Sequence, residues 1–310
     1  MERDTFASVQ MYNEWFLEFA PTTYQESRAS CIHYVEELSV ETDGFRNLKP
    51  ELLLERPDSI TALRMVCAPP IARDRLAGLA DVSRSLLKSM EDSKLPSRGR
   101  EKFFERDIPA LLGIIKRLID RQLMPWVNSP IAPKPEEQDI AIAVVADRLC
   151  GTVSDPIIRN AQEARQINAL STFLDNKGYE LLEDRSIDAF DMPHGTYAFH
   201  KNVKMFKNAM DDSDGFVNTP VDAVVMPIDA AIAKPILIEC KSAGDFANTN
   251  KRRKEEDTKV TQLRATYGDD VILYLFLCGY FDSTYLGYEA ANHMDWVWEH
   301  RIQDFEQVGI

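Results

Sequence analysis

Ile108, Leu111, Leu112, Ile115, Leu118 and Ile119 recur at helical spacing, with Asp107 placed as a cap and Pro109 in the first turn. Another helix is predicted from Arg73 to Met90, after the break at Pro69 and Pro70. The segment NSPIAPKPEEQD, residues 128–139, carries three prolines and predicts a connector. Past it, one helix is predicted over 138–150 and a second up to Asn176, with Asp155 as cap and Pro156 as its first helical residue. The pattern then changes to strands at 179–183, 196–206, 219–227 and 234–241, with Asp214 and Gly215 as a hairpin turn before the third. A polar helix from Lys251 to Thr266 and VILYLFLC at 271–278, a strand covered on both faces, follow. This order predicts a largely helical region over 1–135 and an α/β core with a mixed sheet over 136–310.

Composition narrows the class. The 310 residues are 45% hydrophobic and 28% charged, ordinary for a globular protein able to bury a core. No apolar run has the roughly 18 residues a membrane helix needs, and MERDTFASVQMYNEW lacks the segments of a signal peptide, which together predict a cytosolic protein. The five cysteines, Cys31, Cys67, Cys150, Cys240 and Cys278, are widely spaced and mostly set among apolar neighbours, so buried free thiols are expected. A net charge of −14 argues against non-specific coating of nucleic acid but leaves room for a local basic patch, the densest being KRRK at 251–254.

Chemistry enters at ILIECKSAGDF, residues 236–246. On a strand, Ile236, Ile238 and Cys240 point to one face and Leu237, Glu239 and Lys241 to the other, so opposite charges share a face at the strand's end. Asp222 lies on the preceding strand, and if the two strands are neighbours it converges with Glu239 beside Lys241. Two carboxylates there suit Mg²⁺, and the lysine can hold or polarise an attacking water, which is the chemistry of metal-assisted phosphodiester hydrolysis.

PVD followed by ECK resembles the P-D-x(n)-(D/E)-x-K signature of the restriction-endonuclease-like nucleases, with Val221 inserted between Pro220 and Asp222. RMVCAPPIARDRLAGLA at 64–80, VVADRLCGTVSDPIIRNAQEARQ at 144–166, ECKSAGDFANTNKRRKEEDTKVTQLRATYG at 239–268 and LCGYFDSTYLGYEAANHMDWVWEHRI at 277–302 resemble the XamI-type family of type II restriction endonucleases. The resemblance implies a PD-(D/E)xK core, Mg²⁺ as cofactor, and double-strand cleavage of DNA at a short palindrome, with GTCGAC the associated target. It implies Asp222, Glu239 and Cys240 as the metal set and Lys241 as the residue assisting the nucleophile. Bacterial cytoplasm, a homodimer matched to the palindrome and a companion methyltransferase in the same cell are implied too.

Glu163 falls in line with Ile167, Leu170 and Leu174 and either joins the metal cluster, as a helix glutamate often does in related nucleases, or pairs with Arg159 or Arg165. The segment after Lys241, with Ser242, Asn248, Asn250, Lys251, Arg252, Arg253 and Lys254, is rich in groups that bond bases and phosphates; its alternative is a solvated charge run, and its nearness to Lys241 favours DNA. Gln262 is expected to be an ordinary solvent-facing side chain, as are Arg73, Arg84 and Lys88. DDSDG at 211–215 is a turn lacking calcium-loop spacing, and His293 and His300 among Trp296 and Trp298 suit a packed helix better than a zinc site. The rival readings are a repair or recombination nuclease of the same fold and a DNA-binding protein that does not cut.

Overall fold

The computed structural model describes residues 2–96, 99–210, 215–247 and 249–310, with main chain only for Arg100 and residues 250–255. The chain forms two compact units, one made of Met1–Ala20 with Ile158–Ile310 and the other of Pro21–Ile157.

The second unit is helical. It holds the later part of α1 (Glu2–Glu41), then α2 (Pro50–Glu55), α3 (Ser59–Met65), α4 (Arg73–Ala80), α5 (Arg84–Glu91), α6 (Arg100–Lys102) and α7 (Ile108–Leu118), and the first half of α8 (Pro135–Asn176). The predicted helix over 73–90 is in fact two. Asp81 takes a left-handed conformation (φ 52°), and the Ser83 hydroxyl accepts the N–H of Leu86 at 3.1 Å to start α5 afresh. Asp107, expected as a cap, makes no capping bond because a π-helical turn at Phe103–Asp107 carries the helix straight into Ile108. The apolar stripe of α7 is buried as its spacing predicts.

The helices predicted over 138–150 and to Asn176 are one, since α8 runs unbroken with Pro156 inside it. Proline there removes a single hydrogen bond, a penalty of about 3 kcal/mol that flanking contacts offset. Ala141, Val145, Ala146, Leu149 and Cys150 on its first half lie in the core of the helical unit, so the compact boundary falls at Ile157 where the sequence placed it at 135. The first turns of α1, assigned from sequence to the helical region, likewise belong to the other unit.

That unit is built on a six-stranded sheet in the order β1 to β6: Glu180–Leu181, Thr196–Phe206, Phe216–Met226, Ile236–Ala243, Ile272–Gly279 and Asp295–Trp298. β1 and β2 are parallel, β2 to β4 antiparallel, and β4 to β6 parallel, with α9 (Thr249–Tyr267) and α10 (Ser283–Ala291) in the two crossovers. Residues 295–298, read as part of a helix, are strand β6. Trp296 and Trp298 alternate with Val297 and complete the edge against Leu275 to Leu277.

One face of the sheet carries Val224, Met226 and Leu237 against Val260 and Leu263 of α9. The other carries Ala223, Val225, Ile236 and Ile238 against Leu170, Phe173 and Leu174 of α8. Gly279 closes β5 where nothing larger fits, since at φ 99° an added Cβ would meet the Ala243 carbonyl oxygen at 2.1 Å. All five cysteines are free, and only Cys240 is not fully buried. Among the described residues no helix is long and apolar enough to cross a membrane.

Candidate active site

β2 and β3 pair from Thr196↔Met226 to Phe206↔Phe216 with one rung missing, because Phe199 pairs with Ala223 and Lys201 with Val221 but His200 does not pair with Asp222. His200 has φ 50°, the left-handed region that non-glycine residues seldom enter. The faces exchange there: Phe199 and Ala223 join the cluster beneath α8, whereas Val203 and Val221 join the one beneath α9. Asp222 therefore stands at a local break in the alternation of both strands.

The β3–β4 ladder ends at Ala223↔Ile238. Beyond it, Asp222 Oδ2 accepts the Cys240 N–H at 2.8 Å, a side-chain bond standing where the next rung would fall. Glu239 and Lys241 face α9, as alternation predicts. Glu239 is 5% exposed, and both its oxygens accept from ammonium groups, Oε2 from Lys241 at 3.1 Å and Oε1 from Lys259. Lys241 also lies 3.7 Å from Oε1 of the buried Glu256, whose Oε2 accepts the Tyr285 hydroxyl at 2.7 Å.

Burial pushes the Asp222 carboxyl above the usual carboxylate range, and the adjacent Glu239 charge adds to it. For Lys241 burial acts to lower the pKa, but Glu239, Glu256 and Asp222 outweigh it and hold the ammonium above its ordinary value. Burial likewise raises Glu256 against the pull of Lys241. The Cys240 thiol, packed on the apolar α8 face, is raised well above its ordinary value, first by burial and then by Asp222.

Glu163, on α8, lies 3.6 Å from His200 Nδ1 through its Oε1, while Arg165 is turned to Glu299 at 2.9 Å and to Cys278 Sγ at 3.0 Å. One donor atom each from Glu163, His200 and Asp222 lie within 4.8 Å of one another. Two carboxylates and an imidazole so grouped are a candidate donor set for a divalent cation, with the oxygens that a hard ion prefers. His200, which the sequence reading did not single out, thus stands beside Glu163 and Asp222, while the oxygens of Glu239 are engaged by Lys241 and Lys259.

Glu163, Asp222, Glu239, Cys240, Lys241 and Ser242 line a single cleft of about 290 Å³. A larger hollow of about 790 Å³ in the helical unit offers no comparable chemistry. Among its lining residues Arg64 pairs with Glu91 at 2.6 Å and Tyr34 donates to Asp58 at 2.7 Å. Asn248 lies outside the described residues, as do Asp211 to Asp214 of the predicted turn. Asn250, Lys251, Arg252, Arg253 and Lys254 fall in the first turns of α9, just beyond the end of β4, and their side chains lie outside the described residues. Gln262 donates to the Lys207 carbonyl at 2.8 Å, a structural tie.

His200 has no ligand spacing to any other histidine. The β2–β3 register, with Phe199 opposite Ala223 and Lys201 opposite Val221, is what brings it beside Asp222.

A carboxylate cluster able to hold a divalent ion, with a lysine at the split of two antiparallel strands in a helix-flanked mixed sheet, is the layout of a phosphodiester-cleaving nuclease. The profile of the XamI restriction endonuclease family matches residues 43–298. Over 308 residues the chain is 46% identical to the "Type II restriction enzyme SalI" of Streptomyces albus G, covering 99% of this chain and 96% of that protein. The chain belongs to the XamI restriction endonuclease family. It is thus a site-specific deoxyribonuclease, and its partner is DNA. No solved structure matches it.

Proposed function

We propose that this chain is a type II restriction endonuclease with a PD-(D/E)xK site, cutting both strands of the palindrome GTCGAC with Mg²⁺ as cofactor. The observation that carries the reading is the meeting of Asp222, Glu239 and Lys241 where β3 and β4 part, within a chain similar over nearly its whole length to a type II restriction enzyme. In this reading Asp222 and Glu163 would hold the metal, with Glu239 and Cys240 completing the protein's share. When bound, the ion stabilises negative charge on the scissile phosphate and acidifies a water. Lys241, kept protonated by its two glutamates, donates hydrogen bonds that orient the attacking water against the phosphorus. Ser242, Asn248, Asn250, Lys251, Arg252, Arg253 and Lys254 follow β4 out of the cleft and contact bases and phosphates.

A palindrome presents identical half-sites, so two copies related by a twofold axis would place one active site on each strand. The helical region over 1–135 supports DNA binding or dimerisation in this reading. The enzyme acts in the bacterial cytoplasm, where a companion methyltransferase protects the host's own sites without forming a stable subunit.

The test is digestion of a plasmid with a single GTCGAC in the presence of Mg²⁺, with sequencing of the ends and sedimentation with and without cognate duplex. One linear product with ends inside that hexamer, made by a dimer, is expected. Nicks that follow DNA structure would indicate a repair nuclease, retarded but uncut DNA a binding protein, and a monomer on cognate duplex would remove the twofold arrangement.

A further inference from the structure

Lys259 lies in the 239–268 segment with no role of its own read from the sequence, yet its ammonium stands at the fork of β3 and β4. It donates to the Pro220 carbonyl at 2.7 Å on one strand and to the Glu239 carboxylate on the other, with its side chain 15% exposed. Backbone pairing between these strands has stopped at Ala223↔Ile238, so Lys259 bridges them beyond the end of the ladder. Its placement follows from α9. Val260 and Leu263 anchor the helix on the sheet, and Glu256 and Lys259, three residues apart, then share the side that faces the site.

Two ammonium groups thus cover the two oxygens of Glu239. A nearly buried carboxylate needs such compensation whenever no metal is bound. With Asp222, Glu239, Glu163 and Glu256 ionised, Lys241 and Lys259 leave the site two negative charges, which one divalent cation neutralises. A cation arriving at Glu239 meets an oxygen already engaged by Lys259.

We propose that Lys259 is a place-holding cation. In the metal-free enzyme it occupies the Glu239 oxygen that the divalent ion takes and ties β3 to β4, and on metal binding it is released into the cleft. It is a positioning residue that sets how much metal the site requires. This rests on the reading of Asp222 and Glu239 as metal donors.

The experiment is Mn²⁺ binding without DNA, by calorimetry or electron paramagnetic resonance, on the full-length wild type, K259Q, K259R and D222N. Wild-type binding that D222N abolishes establishes the donor set, and its absence overturns that set and the present proposal with it. Given the donor set, K259Q removes one positive charge beside the ion while keeping a donor for the Pro220 carbonyl. It should bind Mn²⁺ roughly tenfold more tightly, the scale of a unit charge removed at close range in a half-buried site. K259R should stay near wild type. Affinity in K259Q equal to or weaker than wild type overturns the proposal. A second measurement needs no variant: acetylation of Lys259 by acetic anhydride, followed by peptide mass spectrometry, should speed up several-fold when Mn²⁺ is added. An unchanged rate overturns the release.

Discussion

Asp222→Asn should separate stability from activity in opposite directions. The substitution is isosteric, and the amide oxygen can still accept the Cys240 N–H that Asp222 Oδ2 accepts at 2.8 Å, so the fork keeps its side-chain link. What it removes is a charge that the folded chain disfavours, because burial and the Glu239 carboxylate hold the Asp222 carboxyl above its usual range. For an acid whose folded pKa exceeds the unfolded one, the folded state binds more protons between the two values. Stability is then highest below the unfolded value and falls as pH rises through the folded one. Asp222→Asn removes that loss. In EDTA at pH 8 the variant should therefore be more stable by about 0.5–2 kcal/mol, the range in which relieving a strained functional residue commonly stabilises. A gain of 1 kcal/mol corresponds to a rise of about 2–4 °C in Tm for a domain of 150–250 residues. Cleavage of plasmid with Mg²⁺ should meanwhile fall by about 10³-fold or more, the scale of losing one main electrostatic element of a site. Urea or thermal unfolding in EDTA, beside a digestion time course, measures both. A variant less stable than wild type, or one retaining a tenth of the activity, would refute the reasoning.

Exchanging His200 for alanine should weaken Mg²⁺-dependent cleavage about tenfold by removing a donor beside Glu163 and Asp222; unchanged cleavage would place His200 outside the ion's reach. In the helical unit, Arg148 Nη2 meets Asp120 Oδ2 at 3.0 Å while Nη1 donates to the Met65 carbonyl at 3.2 Å. Asp120→Asn removes the charge partner of a guanidinium that keeps its carbonyl bonds and should lower stability by about 1–2 kcal/mol in urea unfolding. Burial acts to raise the Asp120 carboxyl, but Arg148 and the Leu123 N–H outweigh it and hold it below its usual range. Its stabilisation is thus present above the unfolded carboxylate pKa and lost as pH falls through the folded one, so the difference between wild type and variant should shrink in acid.

Local patterns made much of the sheet unit legible. Alternation alone put Glu239 and Lys241 on one face of β4, and strand signals located β2 to β5 to within a few residues. The features it missed depend on contacts between distant segments. Pro156 looked like a helix start because proline favours first turns, and only the packing of both halves of α8 lets the helix pass through it. Asp81 ends α4 by taking a left-handed conformation that nothing in the apolar spacing of 73–90 announces. His200 reaches the site through hairpin register. Glu256 and Lys259 lie on a helix with no apolar stripe strong enough to show which side would turn inward, so their engagement with Lys241 and Glu239 had no sequence signal.

Because β4 turns Glu239 and Lys241 towards α9 and Cys240 to the opposite face, its length is as constrained as its composition. Gaining or losing a single residue inside Ile236–Lys241 would slide the thiol into the catalytic row and push an acid and a base into hydrocarbon. Insertions and deletions that accumulate as such enzymes diverge should therefore collect in the connections before and after, at 227–235 and 244–247. The six residues Ile236–Lys241 then serve as a ruler whose count survives even where its letters drift.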